Sequence, residues 1–205
     1  SKQMLTKESI FVEQNLIKEI VGSQDQTATA YGGFNNIQFK ENGEIVVKKM
    51  LKNERAKELN KNLMFFFTGF VRTAERIAKN VTKNLLLKKK TLQQMEYILI
   101  EAKKILASDG SLDDFGRLLN ETWNEKKKLS HFVSNPHIDE IYETAIKSGA
   151  LGGKVCGAGG GGFILFYVPK EKQELLKKKL SNLIYVPIEF EYNGSQIIFS
   201  NNQKS

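Results

Sequence analysis

One cysteine, Cys156, and two histidines, His131 and His137, leave the chain little with which to build metal or disulfide chemistry. A single thiol excludes an internal disulfide and fits a reducing compartment such as the cytoplasm. With only two histidines beside it, a structural zinc site has too few ligands. No apolar run is long enough to span a bilayer, and no basic-then-apolar leader opens the sequence. Arginine is also scarce. Arg55, Arg72, Arg76 and Arg117 are four among 31 basic residues, and the net charge is +8. Arginine is the preferred reader of base edges and bidentate phosphates, so a lysine-dominated excess is a poor signature of nucleic-acid recognition. It reads as a solvated lysine-rich surface, compatible with an anionic small ligand. What is present is a globular mix, 40% hydrophobic and 26% charged over 205 residues. That is enough for a real core in one large domain or two small ones.

Periodicity and turn residues set out the elements. Met4 to Val21 has an apolar stripe of Leu5, Val12, Leu16 and Ile20 and predicts an amphipathic helix ended by Gly22. Gln24 to Tyr31 predicts a short helix entered through Ser23 or Asp25 and stopped by Gly32-Gly33. Phe34, Ile37 and Phe39 face Ile45 and Val47 across Asn42-Gly43, a strong hairpin signal. Arg55 to Lys61 predicts another short helix, and Leu63 to Thr68 a central strand buried on both faces. Helices are expected over Val71 to Leu87, Thr91 to Ala107 and Leu112 to Leu129, the last two separated by Asp109-Gly110. Asn135-Pro136 caps and starts a further helix that closes at Gly149. After glycine-rich sequence come a strand from Phe163 to Val168 and a lysine-rich helix from Pro169 to Ser181. Two last strands, Val186 to Tyr192 and Gln196 to Phe199, turn at Asn193-Gly194. The order predicts an α+β fold, with helices on one face of a mainly antiparallel sheet.

Four segments carry residue types suited to chemistry. Gly22-Ser23-Gln24-Asp25-Gln26, followed by Thr27-Ala28-Thr29-Ala30-Tyr31-Gly32-Gly33, sets one carboxylate among small residues at a helix edge. That suits a base or charge-orienting group for a substrate hydroxyl, and a helix N-cap is the ordinary alternative. The second segment, Gly149 to Gly162, is mostly glycine and contains Lys154. Dense glycine lets backbone N–H groups approach an anion, and the lysine adds a point charge. It is neither a Walker A loop nor a G-x-G-x-x-G after a strand, and the alternative is a flexible turn. In the third, Thr68 to Ala74, a strand end runs into a helix start with hydroxyls and Arg72. Helix N-termini bind phosphates, although an ordinary cap with Thr68 or Thr73 accounts for the same residues. The fourth gathers Trp123, Lys126, Lys127 and Ser130, and a lone tryptophan beside lysines reads as core edge.

Together the first two segments say more. Gly22-x-x-Asp25-Gln26 followed by Tyr31-Gly32-Gly33 resembles the substrate-side motif of the galactokinase, homoserine kinase, mevalonate kinase and phosphomevalonate kinase (GHMP) superfamily. Gly152-Gly153-Lys154-Val155-Cys156-Gly157-Ala158 and the glycines after it resemble that superfamily's C-terminal motif. The fuller string from Gly22 to Asn35 looks like the heptose 7-phosphate kinase branch. So do Phe66-Phe67-Thr68-Gly69 with Arg72 and Ala74, and Asn120-Glu121-x-Trp123-x-x-Lys126-Lys127.

The resemblance implies a division into residues 1–50, a remnant of an N-terminal S5-like kinase domain, and 51–205, a ferredoxin-like α+β C-terminal domain. It implies that Asp25 is the catalytic aspartate facing the sugar hydroxyl, with Gly22, Ser23, Gln24, Thr68 and Arg72 on the substrate side. Arg72 would meet the sugar's existing phosphate. Lys154, Gly157, Gly159, Gly160 and Gly161 would lie along the nucleotide–sugar cleft. The implied reaction moves the γ-phosphoryl group of ATP, with Mg2+, onto the anomeric hydroxyl of D-glycero-D-manno-heptose 7-phosphate. The implied partner is a small sugar phosphate, with no nucleic acid, membrane or protein-bound metal, a homodimer allowed and a cytoplasmic setting. The superfamily's ATP loop, of the Pro-x-x-x-Gly-Leu-Gly-Ser-Ser type, is absent, and the chain contains no Ser-Ser pair. A segment of about domain size is therefore expected upstream, and this chain alone is expected to be inactive. The near alternative is a fucose- or mannose-type kinase of the same class. Outside it stands a non-catalytic nucleic-acid-binding α+β module, since Gly161 to Val168 faintly echoes an RNA-binding strand without its leading basic residue.

Overall fold

The computed structural model describes residues 1–51, 53–70 and 74–199. They form two compact units: Ser1–Met50 with the C-terminal stretch from Phe190, and Leu51–Glu189.

The first unit opens with α1, Lys2–Phe11, which passes into a π-helical turn at Val12–Leu16. The helix is shorter than the span from Met4 to Val21. The ladder changes register at Val12, and Lys18 adopts φ 62°, a left-handed conformation that stops helical propagation. Leu5, Val12, Leu16 and Ile20 stay exposed instead of forming a buried stripe. Helix α2, Gln24–Tyr31, ends at Gly32. Strands β1, Asn35–Phe39, and β2, Ile45–Lys49, form an antiparallel hairpin with Ile37 opposite Val47 and Phe39 opposite Ile45. Its turn is the one the Asn-Gly pair predicts: the Asn42 side chain accepts from the Glu44 amide at 3.0 Å, and Gly43 takes φ 80°.

The C-terminal hairpin expected from the sequence does not form. A turn is present at Asn193-Gly194, but the Glu191 carboxylate captures it by accepting both amides, at 2.7 and 2.5 Å. The flanking backbone bonds elsewhere. Gly33 donates to the Glu191 carbonyl, and Ser195 donates to the Thr29 carbonyl at 3.0 Å. These bonds tie the stretch from Phe190 to the first unit, whereas the sequence placed it with the second.

In the second unit α3, Asn53–Lys61, leads into β3, Leu63–Phe67. The unit is organised around a four-stranded antiparallel sheet, ordered β4-β5-β3-β6. Its other strands are β4, Gly152–Val155; β5, Phe163–Tyr167; and β6, Ile184–Val186. β3 is central, paired with β5 on one side and β6 on the other. Its side chains alternate as strand geometry dictates. Met64 and Phe66 are buried in the core, while Phe65 and Phe67 are half-buried on the other face. There Phe65 stacks on Phe163, with ring centroids 4.7 Å apart. The strand is therefore fully buried on one face only.

β4 is a strand where sequence alone indicated a glycine turn. Helices α5, Lys89–Ala107, and α6, Asp113–Leu129, form a packed pair, and α6 lies against β4. The backbones meet so closely that a Cβ built on Gly152 would lie 2.2 Å from the Gly116 carbonyl oxygen and 2.5 Å from the Asn120 nitrogen. Glycine in this strand permits helix–strand contact rather than flexibility. The helix expected from Val71 appears as α4, Ala74–Asn84, followed by a 3₁₀ turn at Leu85–Lys88; residues 71–73 lie outside the described ones. Helix α7, Pro136–Lys147, is capped as predicted, with the Asn135 side chain accepting from the Ile138 amide at 3.1 Å. Helix α8, Gln173–Lys179, follows β5 after a 3₁₀ turn. The core joins Trp123 of α6, Ile138, Ile141 and Tyr142 of α7 and Leu176 of α8 to Met64, Phe66, Ile164 and Phe166 of the sheet.

Replacing Gly152 with Ala should force α6 away from β4 and cost about 1–3 kcal/mol, the usual range for an overpacked core. Urea unfolding checks this, and an unchanged midpoint would contradict the contact. A second expectation concerns alkaline pH. Burial pushes the Tyr142 hydroxyl up to about 12 from its ordinary 10.0. The folded state thus holds this proton more tightly than the unfolded chain. The associated stability is fully present below pH 10 and is lost as pH rises toward 12. Urea midpoints at about pH 9 and about pH 11 should fall less in Tyr142→Phe than in the parent chain.

Candidate functional site

The glycine-rich segment is a turn between β4 and β5, and neighbouring elements hold it. The Cys156 amide donates to the Phe163 carbonyl at 2.9 Å and closes its base. Thr68, at the end of β3, grips the Gly162 carbonyl twice, through its hydroxyl and its amide, each at 2.8 Å. Asn135, the α7 cap, donates its side-chain amide to the Gly160 carbonyl at 3.1 Å. Lys126 of α6 donates its ammonium to the Gly157 carbonyl at 2.6 Å. The amides of Gly160 and Gly162 bond the Val133 and Phe70 carbonyls, each at 2.8 Å.

This bonding leaves donors over. Among the described residues, the amides of Gly157, Ala158, Gly159 and Gly161 have no acceptor. Gly157 is exposed, Ala158 and Gly159 are half-buried, and Gly161 is buried beside Phe70. Backbone N–H groups held in such a turn form an anion-binding arrangement. The turn requires glycine at 159, where φ is 110° and a Cβ would sit 2.7 Å from the Val133 carbonyl oxygen. Lys154 of β4 is half-buried and makes no hydrogen bond or ion pair among the described residues, so its charge is available.

In the first unit, Ser23 occupies the N-cap position of α2 and Asp25 lies in the first helical turn. Asp25 is exposed, and no described residue bonds its carboxylate. It is therefore not the cap that was the alternative to a functional role. A carboxylate there is favoured by the helix dipole. The π-helical turn braces its surroundings. Gln14 donates to the Val21 carbonyl at 3.0 Å and to the Ser23 hydroxyl at 3.3 Å, and Gln26 donates to the Glu13 carboxylate. The Thr27 hydroxyl donates to the Ser23 carbonyl at 2.6 Å. Gly22 and Gln24 are exposed beside Asp25. The Gln26 side-chain oxygen is buried without a partner in the described structure.

The residues picked out in the sequence thus fall into two groups. Gly22, Ser23, Gln24 and Asp25 gather in the first unit. Thr68, Lys154, Gly157, Gly159, Gly160 and Gly161 gather in the second, and Arg72 lies outside the described residues. Thr68 is 1% exposed, and its hydroxyl is committed to the turn. Trp123 is fully buried, as a core reading expects, with Lys127 6.0 Å from its ring centroid. Sequence reasoning missed the tethers supplied by Lys126 and Asn135. Asn135 announced only its cap, and Lys126 stood beside Trp123 as core edge and within the heptose kinase string, with nothing to tie it to the glycine segment. No described group of three His, Cys, Asp or Glu residues is placed to hold a metal ion, and no described helix is long and apolar enough to cross a membrane.

Residues 99–185, inside the second unit, match the family described as GHMP kinases C terminal. The chain carries the C-terminal domain of the GHMP kinases, an α+β fold with antiparallel sheets. Among its relatives, the D-glycero-alpha-D-manno-heptose 7-phosphate kinase of Campylobacter jejuni subsp. jejuni is 37% identical over 171 residues, covering 81% of this chain and 50% of that protein. The L-fucokinase/L-fucose-1-P guanylyltransferase of Bacteroides fragilis is 30% identical over 118 residues, 56% of this chain and 12% of that one. The crystal structure of a D-glycero-D-manno-heptose 1-phosphate kinase from Bacteriodes thetaiotaomicron has a TM-score of 0.70 at 25% identity, covering 98% of this chain and 56% of that chain. The galactokinase of Lactococcus lactis, at 17% identity, 96% coverage of this chain and 61% of its own, shares the fold with a TM-score of 0.71. The chain spans about half the length of the heptose 7-phosphate kinase it matches.

Thr68→Val keeps the buried shape and removes the hydroxyl. The expected cost is about 1 kcal/mol in urea unfolding, the worth of one hydrogen bond, because the Thr68 amide still reaches the Gly162 carbonyl. Hydrogen exchange at the Gly162 amide should quicken; unchanged exchange would show that the hydroxyl does not anchor the turn.

Proposed function

We propose that this chain is the sugar-side portion of an ATP-dependent sugar kinase. In this reading it transfers the γ-phosphoryl group to the anomeric hydroxyl of D-glycero-D-manno-heptose 7-phosphate in the cytoplasm. One observation carries the reading: the tethered glycine turn, with four amides lacking acceptors and Lys154 on the strand that enters it. The 37% identity to a heptose 7-phosphate kinase supports the choice of substrate.

The chemistry assigns each group a task. Phosphoryl transfer asks the protein mainly for positioning and for stabilisation of charge on the transferring group. The turn amides and Lys154 supply donors and positive charge to phosphate oxygens. Asp25, exposed and unbonded among the described residues, accepts the proton of the sugar hydroxyl as its oxygen bonds to phosphorus and ADP departs. Gly22, Ser23 and Gln24 leave room beside it for the sugar, Arg72 meets the phosphate the sugar already carries, and Thr68 acts through the turn. Mg2+ bound with ATP would supply charge neutralisation at the phosphates, and no described group of three His, Cys, Asp or Glu residues is placed to hold it. The ATP loop is supplied from outside these 205 residues, none of which form a Gly-Leu-Gly-Ser-Ser segment.

The test is a phosphoryl-transfer assay with ATP and a panel of heptose 7-phosphate, L-fucose and mannose. The chain alone should give no turnover above background. Fused to the half of the Campylobacter jejuni relative that it does not match, it should turn over the heptose phosphate. Asp25→Asn in that fusion should lose at least about 100-fold in kcat while keeping its circular dichroism. Robust turnover by the chain alone, a preference for fucose or mannose, or near-normal Asp25→Asn activity would each refute the corresponding part of the assignment.

A further inference from the structure

Lys126, Lys127 and Lys128 are consecutive in the last turn of α6, yet each goes to a different place. Lys128 pairs with Glu125 on the same helix. Lys127 lies over the rings of Trp123 and Tyr142, at 6.0 and 5.9 Å, and stands 3.8 Å from Asp139. Lys126 alone of the three reaches the glycine turn, with its ammonium 2.6 Å from the Gly157 carbonyl oxygen and 3.5 Å from that of Val155. The shorter contact is a charge-assisted hydrogen bond, stronger than a neutral one.

A trans peptide group is planar, and its C=O and N–H point in opposite directions. Fixing the carbonyl of one residue therefore aims the amide of the next. Lys126 draws the Gly157 carbonyl toward α6, so the Ala158 N–H points away from α6. Asn135 draws the Gly160 carbonyl toward α7, so the Gly161 N–H points away from α7. Ala158 and Gly161 are both among the amides with no acceptor in the described structure. Each tethered carbonyl thus has a free donor at the far end of its own peptide group. Gly157 has φ 68° and nothing within 4 Å of where a Cβ would stand, so glycine's wide conformational range is not narrowed by a side chain there. The described hydrogen bond that holds its carbonyl is the one from Lys126.

We propose that Lys126 is a positioning residue that orients the Gly157–Ala158 peptide so that the Ala158 amide is presented to a phosphate oxygen. The proposal rests on the phosphate-holding turn of the kinase reading and adds to it the residue that keeps the turn in its binding conformation. Lys126 need not touch the phosphate, because its ammonium is used on the protein side of the turn. Asn135 does the same for Gly161 with a neutral donor, so the two amides are set independently by two helices.

The test uses the 205-residue chain labelled with 15N and titrated with inorganic pyrophosphate. In the parent chain the amide resonances of Ala158 and Gly161 should both move saturably. In Lys126→Met the Ala158 response should be lost and the Gly161 response retained, with affinity roughly tenfold weaker, the worth of one charge-assisted hydrogen bond. Lys126→Arg, which keeps a charged donor, should restore the Ala158 response. The thermal midpoint of each variant is recorded alongside, because a merely structural lysine would lower it without separating the two amides. If Lys126→Met loses Ala158 and Gly161 together, or neither, the positioning role is overturned while the phosphate turn stands. If pyrophosphate moves neither amide in the parent chain, the phosphate reading of the turn fails and takes the proposal with it. Should Lys126→Met fail to fold, Lys126→Arg and Lys126→Gln decide the matter by the same two resonances.

Discussion

The site in the second unit depends on the close approach of α6 to β4. Glycine at 152 lets helix and strand backbones touch where an ordinary side chain would hold them apart, and glycine at 116 leaves room for the Tyr167 ring and Leu151. The consequence reaches the far end of both elements. From Gly116 to Lys126 the helix rises roughly 15 Å at 1.5 Å per residue. From Gly152 to Val155 the strand covers roughly 10 Å at about 3.3 Å per residue, and a bend at Cys156 leads on to Gly157. A contact fixed at the first glycine pair thus leads, along the helix, to a lysine beside the turn five residues beyond Gly152. Between these points Asn120 accepts from the Tyr142 hydroxyl at 2.8 Å, and Trp123 fills the core beneath. Asn120, Trp123 and Lys126 make one helix face whose common task is to hold β4 and the turn after it.

The first unit meets the same problem with different means. It has a hairpin, two helices and a C-terminal stretch, and the segment before Asp25 is held by side chains more than by packing. Glu13 and Gln14 sit in a π-helical turn, where the altered register points adjacent side chains at Gln26, Val21 and Ser23. Such turns recur at functional positions because they re-aim side chains without ending the helix outright. An exposed carboxylate on a braced backbone can meet a ligand without rearranging its support.

Much of this was legible where the signal is local. The Asn42-Gly43 hairpin, the Asn135-Pro136 start of α7 and the apolar run of β3 each follow from a few adjacent residues, and the structure contains all three. The lysine-rich surface also reads as expected. Lys40, Lys104, Lys147 and Lys177 pair with glutamates three or four residues away, contacts worth little singly but ordinary for a solvated face. What was not legible depends on distant residues. Glycines 152 and 153 look like a turn until α6 and Phe166 are seen against them. Val186 to Tyr192 looks like a strand until the Glu191 carbonyl is seen bonded to the Gly33 amide. Lys126 looks like one lysine of three until the turn's carbonyls are accounted for. In each case a local propensity yields to a tertiary contact that no window of sequence contains.

Unpaired donors in the glycine turn bear on why it is built from backbone. Of the four, Gly157 is exposed, Ala158 and Gly159 are half-buried and Gly161 is buried, so little of the array bears the cost of about 1–3 kcal/mol that a buried N–H without an acceptor carries. The described structure ties the carbonyls of Gly157, Gly160 and Gly162 to Lys126, Asn135 and Thr68 from three separate elements, and bonds the amides of Gly160 and Gly162 as well. A turn tied at several points to its neighbours is oriented before any ligand arrives. It can then meet charge that develops on a transferring phosphate without first reorganising, which is the condition under which fixed dipoles contribute most to catalysis. Lysine at 154 adds net charge to that array, but the direction of the array is set by the residues behind it.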